Sequence, residues 1–77
     1  MQIEILLFGY MTDIVGKSRI TLQNIPSTDQ LKLQLHRLYP KLKDTPYLIA
    51  IDKNIVTGNV VLKDNHIIAL LPPYAGG

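Results

Sequence analysis

Apolar and polar positions alternate from the start of the chain. Ile3, Ile5 and Leu7 fall on one side of an extended backbone, and Glu4, Leu6 and Phe8 on the other, since side chains of a strand point to opposite faces with period two. With Glu4 turned to water, Ile3, Ile5 and Leu7 belong to the core. Gly9 closes this run, so residues 3–8 are predicted as a first strand. Residues 11–15, followed by Gly16, have the form of one or two helical turns ended by a glycine in the left-handed conformation. Residues 19–22 alternate again and predict a second strand, near enough to pair antiparallel with the first.

The period then changes. Ser27 stands three residues before Gln30, which fits a capping box, and Ile25 precedes it where it packs back on the first turn. Leu31, Leu35, Leu38 and Leu42 recur at helical spacing and form one apolar stripe, with Leu33 off it. Pro40 ends regular helix near Tyr39, and His36, Arg37 and Lys41 sit where the negative end of the helix dipole favours cations. Beyond it, residues 47–51 read as a buried strand and residues 55–56 as a short return strand. Lys63, Asp64 and Asn65 form a turn, with Asn65 able to take positive φ, and residues 66–71 form the last strand.

Two strands, one helix and two or three further strands predict an α+β domain: a mixed sheet of four to five strands with the helix on one face. A last strand beside and parallel to the first, reached through the helix, is the ubiquitin-like β-grasp arrangement. In that arrangement Ile68 and Leu70 face the helix. Ile67, Ala69 and Leu71 join Leu6 and Phe8 on the opposite face, which a single helix leaves uncovered. An open apolar face of this kind suggests a partner surface.

Composition narrows the function. The 77 residues allow one domain, and 47% of them are apolar, too many for a disordered segment. The chain contains no cysteine, which excludes a disulfide framework, a thiolate zinc site and any side chain able to carry a persulfide. The net charge is only +2, and its cations are scattered from Lys17 to Lys63 rather than clustered, so nucleic acid is not expected as a partner. No apolar stretch approaches the roughly 18 residues a spanning helix needs, and Glu4 interrupts the N-terminal run, so neither membrane nor signal peptide is expected and the expected location is cytoplasmic.

The end of the chain has a different character. Pro72 and Pro73 cannot donate to a sheet ladder, so they end the last strand and hold the succeeding residues extended. Tyr74 and Ala75 lead to Gly76 and Gly77, which carry no side chain and put the terminal carboxylate on a slim arm suited to a narrow site on another protein. The expected division is a β-grasp domain over residues 1–71 and an extended tail over residues 72–77.

The run Leu70-Leu71-Pro72-Pro73-Tyr74-Ala75-Gly76-Gly77 resembles the small subunit of molybdopterin synthase, a family of sulfur carriers ending in Pro-Pro-x-x-Gly-Gly. Phe8-Gly9-Tyr10-Met11, Ile14-Val15-Gly16, Leu38-Tyr39-Pro40-Lys41-Leu42, Ala50-Ile51-Asp52 and Leu62-Lys63-Asp64 resemble further blocks of that family, so the likeness covers essentially the whole chain. Only the tail is a specific motif. Asp52 replaces the usual Asn, and Asn65-His66 the usual Gly-Asp. Both departures fall in turns away from the tail, and Asn is able to take glycine's backbone role at modest cost.

The resemblance implies a mechanism. A ubiquitin-activating-enzyme-like adenylyltransferase would use ATP to adenylate Gly77, and sulfur from a persulfide donor would displace AMP to leave a thiocarboxylate. The tail, Pro72 through Gly77, would then enter the large subunit of molybdopterin synthase and give its sulfur to a cyclic pterin precursor. No cofactor or metal is expected to stay bound to the chain. It would be a non-catalytic subunit: His36 reads as a helix-end surface residue and His66 as a strand-entry residue, neither with the partners a general base needs. The family also docks through an apolar sheet surface, at positions matched here by Phe8, Ile55 and Leu71. The rival readings are a thiamine-pathway sulfur carrier, which shares the fold and Gly-Gly but generally lacks Pro-Pro, a ubiquitin-like protein modifier, and a β-grasp binding module with an inert tail.

Overall fold

The computed structural model describes residues 1–73; the expected tail residues Tyr74, Ala75, Gly76 and Gly77 lie outside the described residues. Five strands, β1 (Gln2–Leu7), β2 (Arg19–Gln23), β3 (Leu48–Ile51), β4 (Asn54–Val56) and β5 (Ile67–Leu71), form one sheet in the order β2-β1-β5-β3-β4. β1 and β5 are parallel neighbours, and the other pairs are antiparallel. The short helix α1 (Tyr10–Val15) connects β1 to β2 and ends at Gly16, which is left-handed with φ 84°. The main helix α2 (Thr28–Leu38) packs on one face of the sheet. This is the β-grasp arrangement, with its two parallel strands at the centre.

The strand phase agrees with the sequence pattern. Ile3, Ile5, Leu7, Ile68 and Leu70 are buried beneath α2, which contributes Leu31 and Leu35 to the same core. Ser27 caps α2, its Oγ accepting the Gln30 backbone N–H at 3.4 Å, and Ile25 is buried beside it.

The leucine stripe is broken at one place. Leu38 is exposed, whereas Leu42 is buried. Tyr39 leaves the helix at φ −132°, ψ 83°, ahead of Pro40, and a 3₁₀ turn over Pro40–Asp44 re-aims the chain. The residue before a proline avoids the α region, so helical phase ends at Leu38. Tyr39 and Leu42 reach the core from the new direction. Tyr47 and His66, expected as strand residues, each lie just before the strand, since β3 starts at Leu48 and β5 at Ile67.

The segment between β4 and β5 is held by the start of α2 rather than by the sheet. Thr28, a buried polar side chain, donates its hydroxyl to the Gly58 carbonyl at 3.2 Å and accepts the Val60 N–H at 2.9 Å. Thr28 N–H donates to the Val60 carbonyl, Leu62 N–H to the Pro26 carbonyl, and the Asn59 side chain accepts the Asp29 N–H. The bonds from Thr28 and Asp29 satisfy backbone groups of the first turn of α2 that have no intrahelical partner.

His36 is not a free surface group. Its Nε2 lies 2.9 Å from the Tyr47 hydroxyl, and the rings meet edge-on. Burial, with Lys43 and then Lys32 adding repulsion, holds the imidazole below its ordinary pKa of 6.5, while burial pushes the Tyr47 phenol up. Both shifts favour the uncharged forms of the pair, which share this hydrogen bond.

Two predictions test this packing. Thr28→Val leaves Gly58 and Val60 without their partner and is expected to lower stability by about 1–3 kcal/mol in urea denaturation. His36 binds its proton more weakly folded than unfolded, so its contribution is complete above the unfolded pKa and is lost as pH falls through the lower folded value. Lowering the pH from about 7.5 to about 5.5 is expected to depress the melting temperature more in the wild type than in His36→Gln.

Candidate functional site

The face of the sheet away from α2 has two halves. Towards β2 it is polar: Glu4 and Arg19 pair at 3.2 Å, an exposed ion pair of the kind that adds little stability. Towards β4 it is apolar. Leu6, Phe8, Ala50, Ile55, Ile67, Ala69 and Leu71 line a shallow basin of about 570 Å³, with Asp52 and Lys53 at its rim.

Register explains the hollow. Ala50 stands directly across from Ala69, so two methyl groups meet at adjacent central positions. Leu6 flanks Ala69 on one side and Ile55 flanks Ala50 on the other, raising larger side chains around this low floor. Phe8 is 44% exposed, Ile55 58% and Ile67 45%, although all three are large hydrophobes in a chain able to bury others completely. Such a concave apolar surface with a charged rim has the form of a protein-binding patch.

Of the residues singled out in the sequence, Phe8, Ile55 and Leu71 come together on this basin. They approach from three strands or their ends: Phe8 comes directly after β1, Ile55 lies in β4 and Leu71 ends β5. Strand phase alone places Phe8 and Leu71; Ile55 needs the β3–β4 pairing. The Ala50 floor and the Asp52–Lys53 rim carry no signal in the sequence that would single them out. Pro72 and Pro73 come directly after Leu71, so the chain leaves the sheet from the same strand that supplies three residues of the basin. The tail positions 74–77 are outside the described residues.

The rim is built by a tight turn. Asp52 (φ 47°) and Lys53 (φ 74°) are the two central residues between β3 and β4, a type I′ geometry usually favoured by Asn-Gly. Asp52 offsets some of that strain: its backbone N–H donates to the Ile67 carbonyl at 2.9 Å and its Oδ1 accepts the Ile67 N–H at 3.0 Å. Both ladder groups at the start of β5 are thus held by Asp52. Its Oδ2 lies 3.9 Å from His66 Nε2 at the end of β5 remote from Pro72. Asn65 adopts φ 69°, the positive value expected of it. The His66 ring is engaged locally, Nδ1 accepting the Lys63 N–H at 3.1 Å.

Among the described residues no cluster of His, Cys, Asp or Glu has the composition of a metal site, and no helix is long and apolar enough to cross a membrane. His36 and His66 lie apart from the basin's apolar floor, each tied to a structural partner. The arrangement is an open apolar surface with Pro72 following the strand at its edge.

Known proteins share this architecture. The putative molybdopterin converting factor subunit 1 of Pyrococcus furiosus superposes with a TM-score of 0.86 at 16% identity, covering 95% of this chain and 98% of that one. The complex of subunits 1 and 2 of the molybdopterin-converting factor of Helicobacter pylori contains a chain that gives 0.73 at 26% identity, with both chains fully covered. The small archaeal modifier protein 1 of Methanosarcina acetivorans gives 0.80 at 23%, covering 99% and 96%. A family model matches residues 5–77, nearly the full length, and on that match the chain belongs to the ThiS family, with the ubiquitin-like fold of small sulfur carriers.

Proposed function

We propose that this chain is the sulfur-carrying small subunit of a molybdopterin synthase. The observation that carries the reading is the continuity of β5: Ile67, Ala69 and Leu71 line the apolar basin, and Pro72 leads from Leu71 into the tail. A partner seated on the basin receives the chain end at a defined place. The likeness to molybdopterin-converting subunits, one of them solved as a complex of subunits 1 and 2, supports a large subunit as that partner.

The chemistry falls to the Gly77 carboxylate. A carboxylate is a poor electrophile and has to be activated first. Attack of its oxygen on the α-phosphate of ATP, in an adenylyltransferase partner, gives an acyl-adenylate and releases pyrophosphate. The terminal sulfur of a donor persulfide then attacks the acyl carbon, AMP leaves, and a thiol cuts the S–S bond to release the thiocarboxylate. This sulfur attacks the cyclic pterin precursor in the large subunit, and water then cleaves the acyl–sulfur bond of the adduct, leaving the sulfur on the pterin and returning Gly77 as a carboxylate. The chain brings no cysteine to any step, so it has no side chain on which sulfur could rest. Its own residues dock and present, while the partners supply bases and electrostatic stabilisation. A cytoplasmic setting, with ATP at hand, suits this sequence of steps.

The Pro-Pro tail favours this pathway over thiamine synthesis. The likeness to a small archaeal modifier protein favours a second reading, attachment of Gly77 to lysines of other proteins. Electrophoresis separates the two, since higher-mass conjugates that vanish when Gly77 is deleted belong to the modifier.

The carrier reading predicts that incubation with adenylyltransferase, ATP and a persulfide donor raises the intact mass by the replacement of one oxygen by sulfur, and that deletion of Gly77 abolishes the change. An unchanged mass with competent partners overturns it. Phe8→Asp places a charge on the open face, so unfolding stability is expected to stay within about 0.5 kcal/mol of wild type. Calorimetric titration against the large subunit is expected to show affinity reduced about tenfold or more, as for loss of an aromatic anchor worth over 1 kcal/mol.

A further inference from the structure

The chain leaves the sheet at a corner where two backbone segments touch. Gly9 lies just beyond β1 and Pro72 just beyond β5, and these are the parallel central strands. Gly9 has φ 57° and ψ −139°, a conformation open to glycine and strained for other residues. A Cβ placed on Gly9 would lie 2.5 Å from Pro72 Cγ and 3.3 Å from its Cδ, well inside van der Waals contact. The obstacle is the Cγ of a proline ring, which can change its pucker but cannot swing away as a flexible side chain would.

Gly9 is also unable to retreat without loss. Its carbonyl accepts the Thr12 N–H at 3.1 Å and the Thr12 hydroxyl at 2.8 Å. The Phe8 carbonyl before it accepts the Met11 N–H, and the Phe8 N–H donates to the Leu70 carbonyl at 3.2 Å. The corner is thus pinned to α1 on one side and to β5 on the other. Pro72 rests on this bare backbone at the point where pairing stops.

Resting on the sulfur-carrier reading, we propose that Gly9 is a positioning residue for the tail: it is the seat on which Pro72 lies, and it sets the direction in which the chain departs towards a partner's active site. The carboxylate lies five residues beyond Pro72 in the sequence, so the place where Pro72 is held fixes the start of the segment that must reach the partner's active site. A side chain on Gly9 lifts Pro72 while leaving the Ala50–Ala69 floor and Ile55 in place.

The test measures two quantities on the full-length chain. One is the rate of thiocarboxylate formation at Gly77 by intact mass, with adenylyltransferase, ATP and persulfide donor. The other is affinity for the adenylyltransferase by calorimetry. Gly9→Val is expected to slow loading about tenfold or more, because misplacement of about 1 Å costs up to a hundredfold in positioned reactions. Gly9→Ala falls between it and wild type, and affinity changes by less than about threefold, the span of ordinary surface substitutions. The backbone strain of a side chain at positive φ is present with or without the proline ring, so Pro72→Ala isolates the contact: in that background Gly9→Val is expected to cost much less than in the wild type.

Equal loading rates for Gly9→Val and wild type overturn the proposal. So does a loss of the same size in the Pro72→Ala background, which places the effect in Phe8 or in the fold. A melting curve identifies a variant that does not fold, and Gly9→Ala with its Pro72→Ala partner then decides the matter by the same comparison. Failure of the wild type itself to gain sulfur is a different result and overturns the carrier reading on which this one rests.

Discussion

The parallel pairing of β1 with β5 is the constraint on which the remaining structure depends. Parallel neighbours cannot be joined by a tight turn; here the chain between them forms β2, α2 and the β3–β4 hairpin. That excursion puts α2 across one face, where Leu31 and Leu35 meet Ile3, Ile5, Ile68 and Leu70. With one long helix among the described residues, the opposite face has no cover. The open apolar surface is therefore a consequence of topology in a short chain, and the residues on it decide whether it is a liability or a site.

Here they make a site. Ala50 and Ala69 lie opposite one another, so the face is hollow where a pair of larger residues would have filled it. Asp52 does two things at its rim: it shapes the hairpin turn and holds both backbone groups of Ile67, the first residue of β5. The basin is consequently a pre-formed feature of the sheet, with small reorganisation needed on docking. At its other end β5 runs into Pro72, seated against Gly9. One strand thus connects the apolar basin to Pro72 and its contact with Gly9.

Much of the fold is legible in the sequence because each element carries its own local signal. Period two in residues 3–8 and 66–71 places the faces correctly, Ser27 and Gln30 mark the helix start, and Gly16 and Asn65 mark positions of positive φ. The stripe through Leu38 misleads, since helical spacing assumes an unbroken helix and Pro40 turns the chain before the stripe is complete. Position at a helix end likewise makes His36 look like a surface group. Its partner Tyr47 is eleven residues away beyond the 3₁₀ turn, and no local pattern encodes that meeting.

What the sequence determined by itself is the chemistry available: no thiol, no clustered metal ligands in an evident motif, and the run Pro-Pro-x-x-Gly-Gly at positions 72–77. Composition and order along the chain are enough for that, because they state which functional groups exist. Only the tertiary structure decided where those groups stand. The Ala50–Ala69 floor, the grip of Asp52 on Ile67 and the contact of Pro72 with Gly9 all join residues distant along the chain. Each depends on the register of non-local strand pairs, which comes from burial of the whole core at once and leaves no trace in any single stretch of sequence.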